Sequence, residues 1–163
     1  DNLMKVLTFV ISIIILALAT TAAYRHLKQD WLLYRTAEDL SRRGAWRQAN
    51  PIFDDLVKKG FRTKDTLRLL GKSYEETGDL AAAIEAFRKL AAASPGDAGV
   101  ELELAGLYDR KGDHAGAAAI YHALLAKEPE NRSVALRLAR ALTALGRYDE
   151  AILRYRAILG EKP

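Results

Sequence analysis

Apolar residues recur along most of the chain with the spacing of amphipathic helices. They lie three and four residues apart before each of four glycines, Gly44, Gly78, Gly112 and Gly146. This spacing places them on one face of a helix. An alanine five residues after each glycine and an aromatic residue nine after it predict a second helix, with a turn at the glycine. The pattern therefore predicts a series of helical hairpins.

The hairpins repeat at a fixed interval of 34 residues. The alanines, the aromatic residues and a leucine followed by a small residue all keep this interval, and a proline ends three units. These positions are Ala49, Ala83, Ala117 and Ala151; Phe53, Phe87, Tyr121 and Tyr155; Leu70-Gly71, Leu104-Ala105 and Leu138-Ala139; and Pro95, Pro129 and Pro163. Such a period is typical of a solenoid, in which each pair of helices covers the apolar face of the next.

These residues resemble the tetratricopeptide repeat (TPR) family. The resemblance rests on Leu70-Gly71, Tyr74, Gly78, Ala83, Phe87 and Pro95 and on their copies. It covers residues 30–163 in four units, 30–63, 64–97, 98–131 and 132–163. It implies an all-α, right-handed solenoid of helical hairpins. The first unit departs from the family pattern, because Pro51 lies inside its second helix and Phe61 replaces the terminal proline; we expect a kinked, degenerate unit.

The first 29 residues differ from the repeats. Val6 to Tyr24 carries no charge over nineteen residues, which as a helix would span about 28 Å and cross the bilayer core. Residues suited to the lipid–water boundary follow, namely Tyr24, Arg25, Lys28 and Trp31. We expect residues 1–29 to be a single-pass anchor in a bacterial inner membrane, with residues 6–24 in contact with lipid.

Two expectations concern the continuation and orientation of this anchor. No glycine or proline occurs between Leu3 and Arg43, so we expect one helix of about 40 residues to run into the first repeat. Basic residues are more numerous after the apolar stretch than before it, which favours the repeats on the cytoplasmic side. The alternative is a cleaved leader, since Ala17-Leu18-Ala19 resembles a cleavage site.

The resemblance implies a concave groove lined by the first helix of each unit. Family members use this groove to hold peptides, helices or other subunits. The implied binding residues are Trp31, Tyr34, Arg35, Arg68, Lys72, Leu102, Glu103, Arg137 and Arg140, with Glu38, Asp65, Glu75, Gly106, Asp109, Ser133 and Leu136 at neighbouring groove positions. Some relatives clamp a peptide carboxylate with Lys/Arg and Asn, but Glu103 stands where that Asn would be.

Composition argues against catalysis. The chain has no cysteine and only three histidines, and no phosphate-binding loop or nucleophile elbow occurs. His114 and His122 are eight residues apart, which is not a zinc-ligand spacing. We therefore expect no catalytic residue, no metal, no cofactor and no nucleic-acid partner. Charge runs from basic (25–72) through acidic (73–131) to basic (132–163).

The last unit predicts a second contact surface. No capping helix follows it in the sequence, so part of its apolar face should lack an intramolecular partner. The expected docking edge consists of Leu142, Ile152, Tyr155 and Ile158. This edge would be covered by another protein, by a second copy of the chain or by a continuation of the natural chain.

The sequence therefore favours a non-catalytic, membrane-anchored scaffold or assembly subunit of a bacterial inner-membrane complex of the secretion, polysaccharide-export or pilus type. A permanent accessory subunit of a large membrane enzyme complex is one alternative. A periplasmic TPR protein with a cleaved leader is another. The expected partners of the protein are other protein subunits, including further copies of the same chain in a homo-oligomer.

Overall fold

A computed structural model describes residues 2–160 of the chain. This range contains eight α-helices and no strand. The helices are α1 (Asn2–Arg42), α2 (Trp46–Lys58), α3 (Thr63–Glu76), α4 (Leu80–Ala93), α5 (Ala98–Lys111), α6 (His114–Lys127), α7 (Arg132–Ala144) and α8 (Tyr148–Leu159). The all-α helical-hairpin fold predicted from the sequence is confirmed. The chain divides into two compact units, Asp1–Phe61 and Arg62–Pro163. Pro163, predicted to end the last repeat, lies outside the described residues.

In the first unit, one helix contains both the apolar segment and the first helix of a hairpin. α1 extends without interruption from Asn2 to Arg42, as expected from the absence of glycine and proline. Its C-terminal part packs against α2. Lys59, just after α2, forms an ion pair of 3.1 Å with Asp30 of α1. The end of α2 is thereby held beside residue 30 of α1.

Three aromatic rings form the core of this hairpin. Tyr34 lies edge-on to Phe53 with centroids 6.4 Å apart, and its centroid is 6.0 Å from that of Phe61. The sequence analysis placed Tyr34 in the groove, and this placement is wrong because the ring is buried, with 7% of its surface exposed. α2 continues through Pro51 as one helix, although Pro51 cannot donate to the carbonyl of Arg47.

The second unit consists of three successive hairpins, α3–α4, α5–α6 and α7–α8. Each hairpin turns at one of the 34-residue glycines, with φ of +82° at Gly78, +86° at Gly112 and +74° at Gly146. Glycine adopts this left-handed conformation without steric cost. Asp79 and Asp113, which follow two of these glycines, cap α4 and α6 by accepting hydrogen bonds from the backbone N–H of Ala82 and Gly116.

Consecutive hairpins stack through the second helix of one and the first helix of the next. α4 contacts α5, and α6 contacts α7. The recurring alanines and aromatic residues lie in the core, where Ala83, Ala117, Phe87 and Tyr121 are almost fully buried. This packing fixes α3, α5 and α7, the helices that carry the candidate site in this unit.

Candidate protein-binding groove

A groove of about 440 Å³ lies along the first helices of the three hairpins. Seven of the residues that the resemblance assigned to the groove line it, namely Lys72, Glu75, Leu102, Glu103, Gly106, Asp109 and Arg137. Two more residues, Leu107 and Arg110, complete the lining. α3, α5 and α7 thus each contribute side chains to one surface.

Ion pairs cross from α3 to α5 at both ends of the groove. Arg68 contacts Glu103 at 3.1 Å, and Arg110 contacts Glu75. Arg68 also lies 3.7 Å from Asp97 and lines a neighbouring depression of about 510 Å³. All these side chains are about one third exposed or more, so each pair stabilises the fold by at most about 1 kcal/mol. Their main effect is to hold the groove's acidic side chains in fixed positions.

A buried tyrosine is bonded to one of the carboxylates that line the groove. The hydroxyl of Tyr121 donates to Oδ2 of Asp109 at 2.8 Å, and His114 Nδ1 lies 3.1 Å from Oδ1 of the same carboxylate. Burial raises the pKa of Tyr121 to about 12; the hydrogen bond to Asp109 adds to the shift, and Arg137 opposes it. Tyr121 therefore keeps its proton at physiological pH and donates a hydrogen bond to Asp109.

The groove retains two cations that are not neutralised by its acidic residues. Glu75, Glu103 and Asp109 are each bonded to another side chain of the unit. Lys72 and Arg137 form no ion pair among residues 2–160, although Arg137 lies close enough to Tyr121 to oppose the rise in the pKa of its phenol. The groove therefore offers positive charge to an incoming ligand, beside the half-buried apolar side chain of Leu102.

Comparison with known proteins identifies the family. Two family models described as tetratricopeptide repeat match residues 34–98 and 110–163, which together make up most of the chain. The chain belongs to the tetratricopeptide repeat family. TPR domains mediate protein–protein interaction or scaffolding. No curated protein sequence matches the chain significantly.

Solved structures support the same TPR fold. A crystal structure of MamA has 20% sequence identity and a TM-score of 0.68, with 80% of this chain and 72% of that chain covered. A structure of MamA AMB-1 has 25% identity and a TM-score of 0.65, with 83% and 74% covered. A tetratricopeptide repeat protein from Parabacteroides merdae ATCC 43184 has 19% identity and a TM-score of 0.70, with 80% of this chain and 52% of that chain covered.

The other predicted groove residues of this TPR protein do not line the groove of the second unit. Trp31 and Arg35 lie on α1, where the Arg35 guanidinium is 5.1 Å from the Trp31 ring centroid. Arg140 is exposed on α7. Sequence reasoning missed the roles of Tyr121 and Arg110. The only sequence signal for a polar role of Tyr121 is its hydroxyl group, because the equivalent residue in the preceding unit, Phe87, has none.

The predicted docking edge of the last TPR unit is partly exposed. Ile152 has 47% of its surface exposed, and Tyr155 and Ile158 are half-buried. Leu142 does not belong to this edge. Its side chain is fully buried in the core cluster with Leu138 and Tyr121, because it faces the inside of its own hairpin.

The N-terminal helix of this TPR protein is long and apolar enough to cross a membrane. Its most apolar segment of 18 residues is not buried against any other part of the described chain. A leader sequence would meet the same criteria of length and composition. Tyr24, Arg25 and Lys28 are exposed on this helix beyond the apolar segment. Among residues 2–160, no group of three or more acidic or histidine side chains could hold a metal ion.

Proposed function

We propose that this TPR protein is a non-catalytic, membrane-anchored scaffold or assembly subunit of a bacterial inner-membrane complex. The observation that carries the proposal is the continuity of α1, in which the apolar segment and the first helix of a hairpin are one helix. A continuous helix has no flexible tether, so it would hold the first hairpin at a fixed height above the bilayer.

The contact between Lys59 and Asp30 supports this geometry. Asp30 is six residues beyond Tyr24, a rise of about 9 Å along the helix. In a bilayer that encloses residues 6–24, the 3.1 Å ion pair would hold the end of α2 close to the headgroup region. The hairpin would begin at the membrane surface, where membrane proteins of an assembly are within reach.

The groove would bind an acidic segment of the partner. Lys72 and Arg137 are its available cations, and Leu102 offers apolar contact. Glu75 and Glu103 are already paired with arginines of the unit, so these two carboxylates add little repulsion against an incoming carboxylate. A peptide with acidic and aliphatic side chains matches this surface.

Affinity purification from native membranes in mild detergent tests the groove. Wild type would be compared with the double charge reversal Lys72→Glu/Arg137→Glu. A matched control, Lys89→Glu/Lys111→Glu, reverses two exposed charges that do not line the groove. We expect the co-purifying subunit to be lost with the groove variant and kept with the control. Retention of the same subunit by both variants would refute the groove assignment.

The anchor is tested separately from the groove. An intact-mass measurement on the protein from membranes shows whether residues 6–24 remain in the mature chain. Resistance to alkaline carbonate extraction shows whether the protein is integral. We expect a retained segment and an integral protein. A mature chain that begins after Ala19 would refute the membrane-anchored scaffold and favour a periplasmic TPR protein with a cleaved leader.

A further inference from the structure

One side of α1 carries exposed aromatic and cationic side chains just beyond the apolar segment. Tyr24, Lys28, Trp31 and Arg35 are spaced four, three and four residues apart, so they lie along one side of the helix and form what we call the α1 stripe. All four are exposed, and with their neighbours they line an open depression of about 820 Å³ that is built from α1 alone. The α1 stripe lies in the interior of the helix, with helical residues on both sides of it.

The positive charge of the α1 stripe is not compensated within the described chain. Lys28 and Arg35 form no ion pair among residues 2–160. Residues 24–35 contain one acidic residue, Asp30, and its carboxylate is held at 3.1 Å by Lys59, on the side of α1 that packs against α2. Two cations are therefore available to an anionic ligand on the stripe.

The side chain of Arg35 reaches back toward the apolar segment. Its guanidinium lies 5.1 Å from the ring centroid of Trp31, which is one helical turn closer to that segment. Long side chains of a helix generally point toward its N-terminus, and the cation–π contact stabilises this arrangement. A ring face offers no acceptor oxygen, so the N–H groups of Arg35 remain available for a phosphate. The charge of Arg35 is thus at the level of Trp31.

The order of side chains along the helix matches that of the groups in a phospholipid. Tyr24 and the exposed Leu27 adjoin the apolar segment, whereas the cations lie farther from it. Lys28 is about 6 Å and Trp31 about 10 Å beyond Tyr24 along the helix. The headgroup layer adds roughly 5–8 Å to each side of the hydrocarbon core, and long cationic side chains extend toward it. An acidic helix of another protein would not require apolar contacts on the membrane side and cations on the far side.

We propose that the α1 stripe binds an anionic phospholipid, with the phosphate beside Lys28 and Arg35 and the upper acyl chain against Tyr24 and Leu27. This inference rests on the proposed function, since it requires residues 6–24 to lie in a bilayer. It goes beyond an anchor, because an anchor needs only apolar surface, whereas this site selects the charge of the headgroup. Lipid composition would then influence how firmly the first hairpin is held at the membrane surface.

Native mass spectrometry tests the selection of lipid. The full chain would be delipidated in detergent and mixed with phosphatidylglycerol or phosphatidylcholine at equal concentration. We expect the chain to retain phosphatidylglycerol several-fold more than phosphatidylcholine, because only the former carries a net negative charge. The difference should shrink as salt is added before the measurement. Equal retention of the two lipids would overturn the proposal.

Matched substitutions distinguish a site from general attraction by basic residues. Lys28→Gln/Arg35→Gln should abolish the preference for phosphatidylglycerol. The control Arg42→Gln/Arg47→Gln removes the same charge from two exposed arginines of the first unit that do not line the depression. Arg42 is about 10 Å beyond Arg35 along α1, and Arg47 lies on α2. The control should keep the preference; an equal loss in both double variants would refute a site on the α1 stripe.

The exposure of Trp31 gives an independent measurement in a bilayer. Trp46→Phe leaves Trp31 as the only tryptophan of residues 1–163. Quenching of its fluorescence by aqueous acrylamide would be compared in nanodiscs of phosphatidylcholine alone and in nanodiscs that also contain phosphatidylglycerol. We expect weaker quenching with phosphatidylglycerol, because the bound headgroup covers the indole. Equal quenching in the two bilayers would overturn the proposal, and protection of Trp31 in both would assign the cover to a second copy of the chain.

These measurements separate the lipid site from the anchor itself. A chain that lacks residues 6–24 by intact mass, or that does not enter nanodiscs, would refute the membrane anchor and the lipid site together. A chain that keeps residues 6–24 and enters nanodiscs of both compositions, but shows no preference for phosphatidylglycerol, would refute the lipid site alone and leave the anchored scaffold in place.

Discussion

The hydroxyl of Tyr121 donates a 2.8 Å hydrogen bond to Asp109, so a residue of the buried core is bonded to a carboxylate that lines the groove. The Tyr121 ring has no exposed surface, and its phenol passes between α5 and α6 to reach the carboxylate. The corresponding residue of the preceding hairpin, Phe87, cannot make this bond. Of the α3–α4 and α5–α6 hairpins, only α5–α6 therefore has a core residue at this position that is hydrogen-bonded to a charged residue of the groove.

Replacement of Tyr121 by phenylalanine should separate these two roles. Tyr121→Phe keeps the ring and removes the hydrogen bond, so we expect a loss of about 1 kcal/mol in the free energy of unfolding. Asp109 keeps its contact with His114, which limits the loss. Chemical denaturation of the full chain measures the effect. Phe87→Leu is a useful contrast because it alters packing without a hydroxyl; an unchanged stability for Tyr121→Phe would contradict the prediction.

The raised pKa of Tyr121 predicts a specific alkaline instability. The folded value is about 12 and the unfolded value about 10, so the folded state binds this proton more tightly. The resulting stabilisation is present below pH 10 and is lost as the pH rises from 10 to 12, by roughly 2 kcal/mol in all. Denaturation midpoints across this range should fall more steeply for wild type than for Tyr121→Phe. Parallel curves would show that the phenol is not responsible.

Two helical glycines should respond in opposite directions to alanine. A Cβ at Gly71 would lie 2.6 Å from Cε2 of the buried Phe87 ring, so Gly71→Ala should overpack the core and cost about 1–2 kcal/mol. A Cβ at Gly106 would meet only Nη1 of Arg137 at 4.0 Å, so Gly106→Ala should stabilise by up to about 1 kcal/mol through helix propensity. Thermal unfolding monitored by circular dichroism compares them. Equal shifts of the same sign would contradict this account.

The repeat pattern predicted the hairpins because its glycines are needed for the turns, and its alanines and aromatic residues are needed for the packing of the helices. All four 34-residue glycines adopt positive φ, from +74° to +86°. The pattern did not predict the burial of Tyr34, because the family register assigns that position to the groove. The substitution of Phe61 for a proline gives Tyr34 a second aromatic neighbour beside Phe53, and this contact depends on tertiary packing rather than on register.

The groove was partly predictable for a similar reason. Lys72, Leu102, Glu103 and Arg137 occupy repeated positions of first helices, and the structure brings all four to one surface. The network of Tyr121, His114 and Asp109 joins two helices of one hairpin, and the residues equivalent to Tyr121 and Asp109 in the preceding hairpin are Phe87 and Glu75. A period of 34 residues carries no information about such a feature. Leu142 was misplaced because apolar periodicity does not distinguish the inner face of a hairpin from its open end.

A proline in the middle of α1 should test the mechanical link between anchor and repeats. Gln29→Pro removes the hydrogen bond to the carbonyl of Arg25 and should cost about 3 kcal/mol of local helix stability. We expect faster amide hydrogen exchange around residues 25–33 in lipid nanodiscs, with unchanged protection in the hairpins that begin at Thr63. Gln29→Ala is the control. Rapid exchange of this segment already in wild type would show that the link is not rigid.

The side of the membrane that carries the repeats can be determined with a single cysteine, since residues 1–163 contain none. Glu130 is suitable because it is exposed in the turn between α6 and α7, whereas Gly96 has φ of +81° and would strain with any side chain. The excess of basic residues after the apolar segment predicts cytoplasmic repeats. Glu130→Cys should therefore resist a membrane-impermeant thiol reagent in intact cells and react after the cells are lysed. Labelling in intact cells at the rate of a known periplasmic cysteine would place the repeats, and with them the groove, in the periplasm.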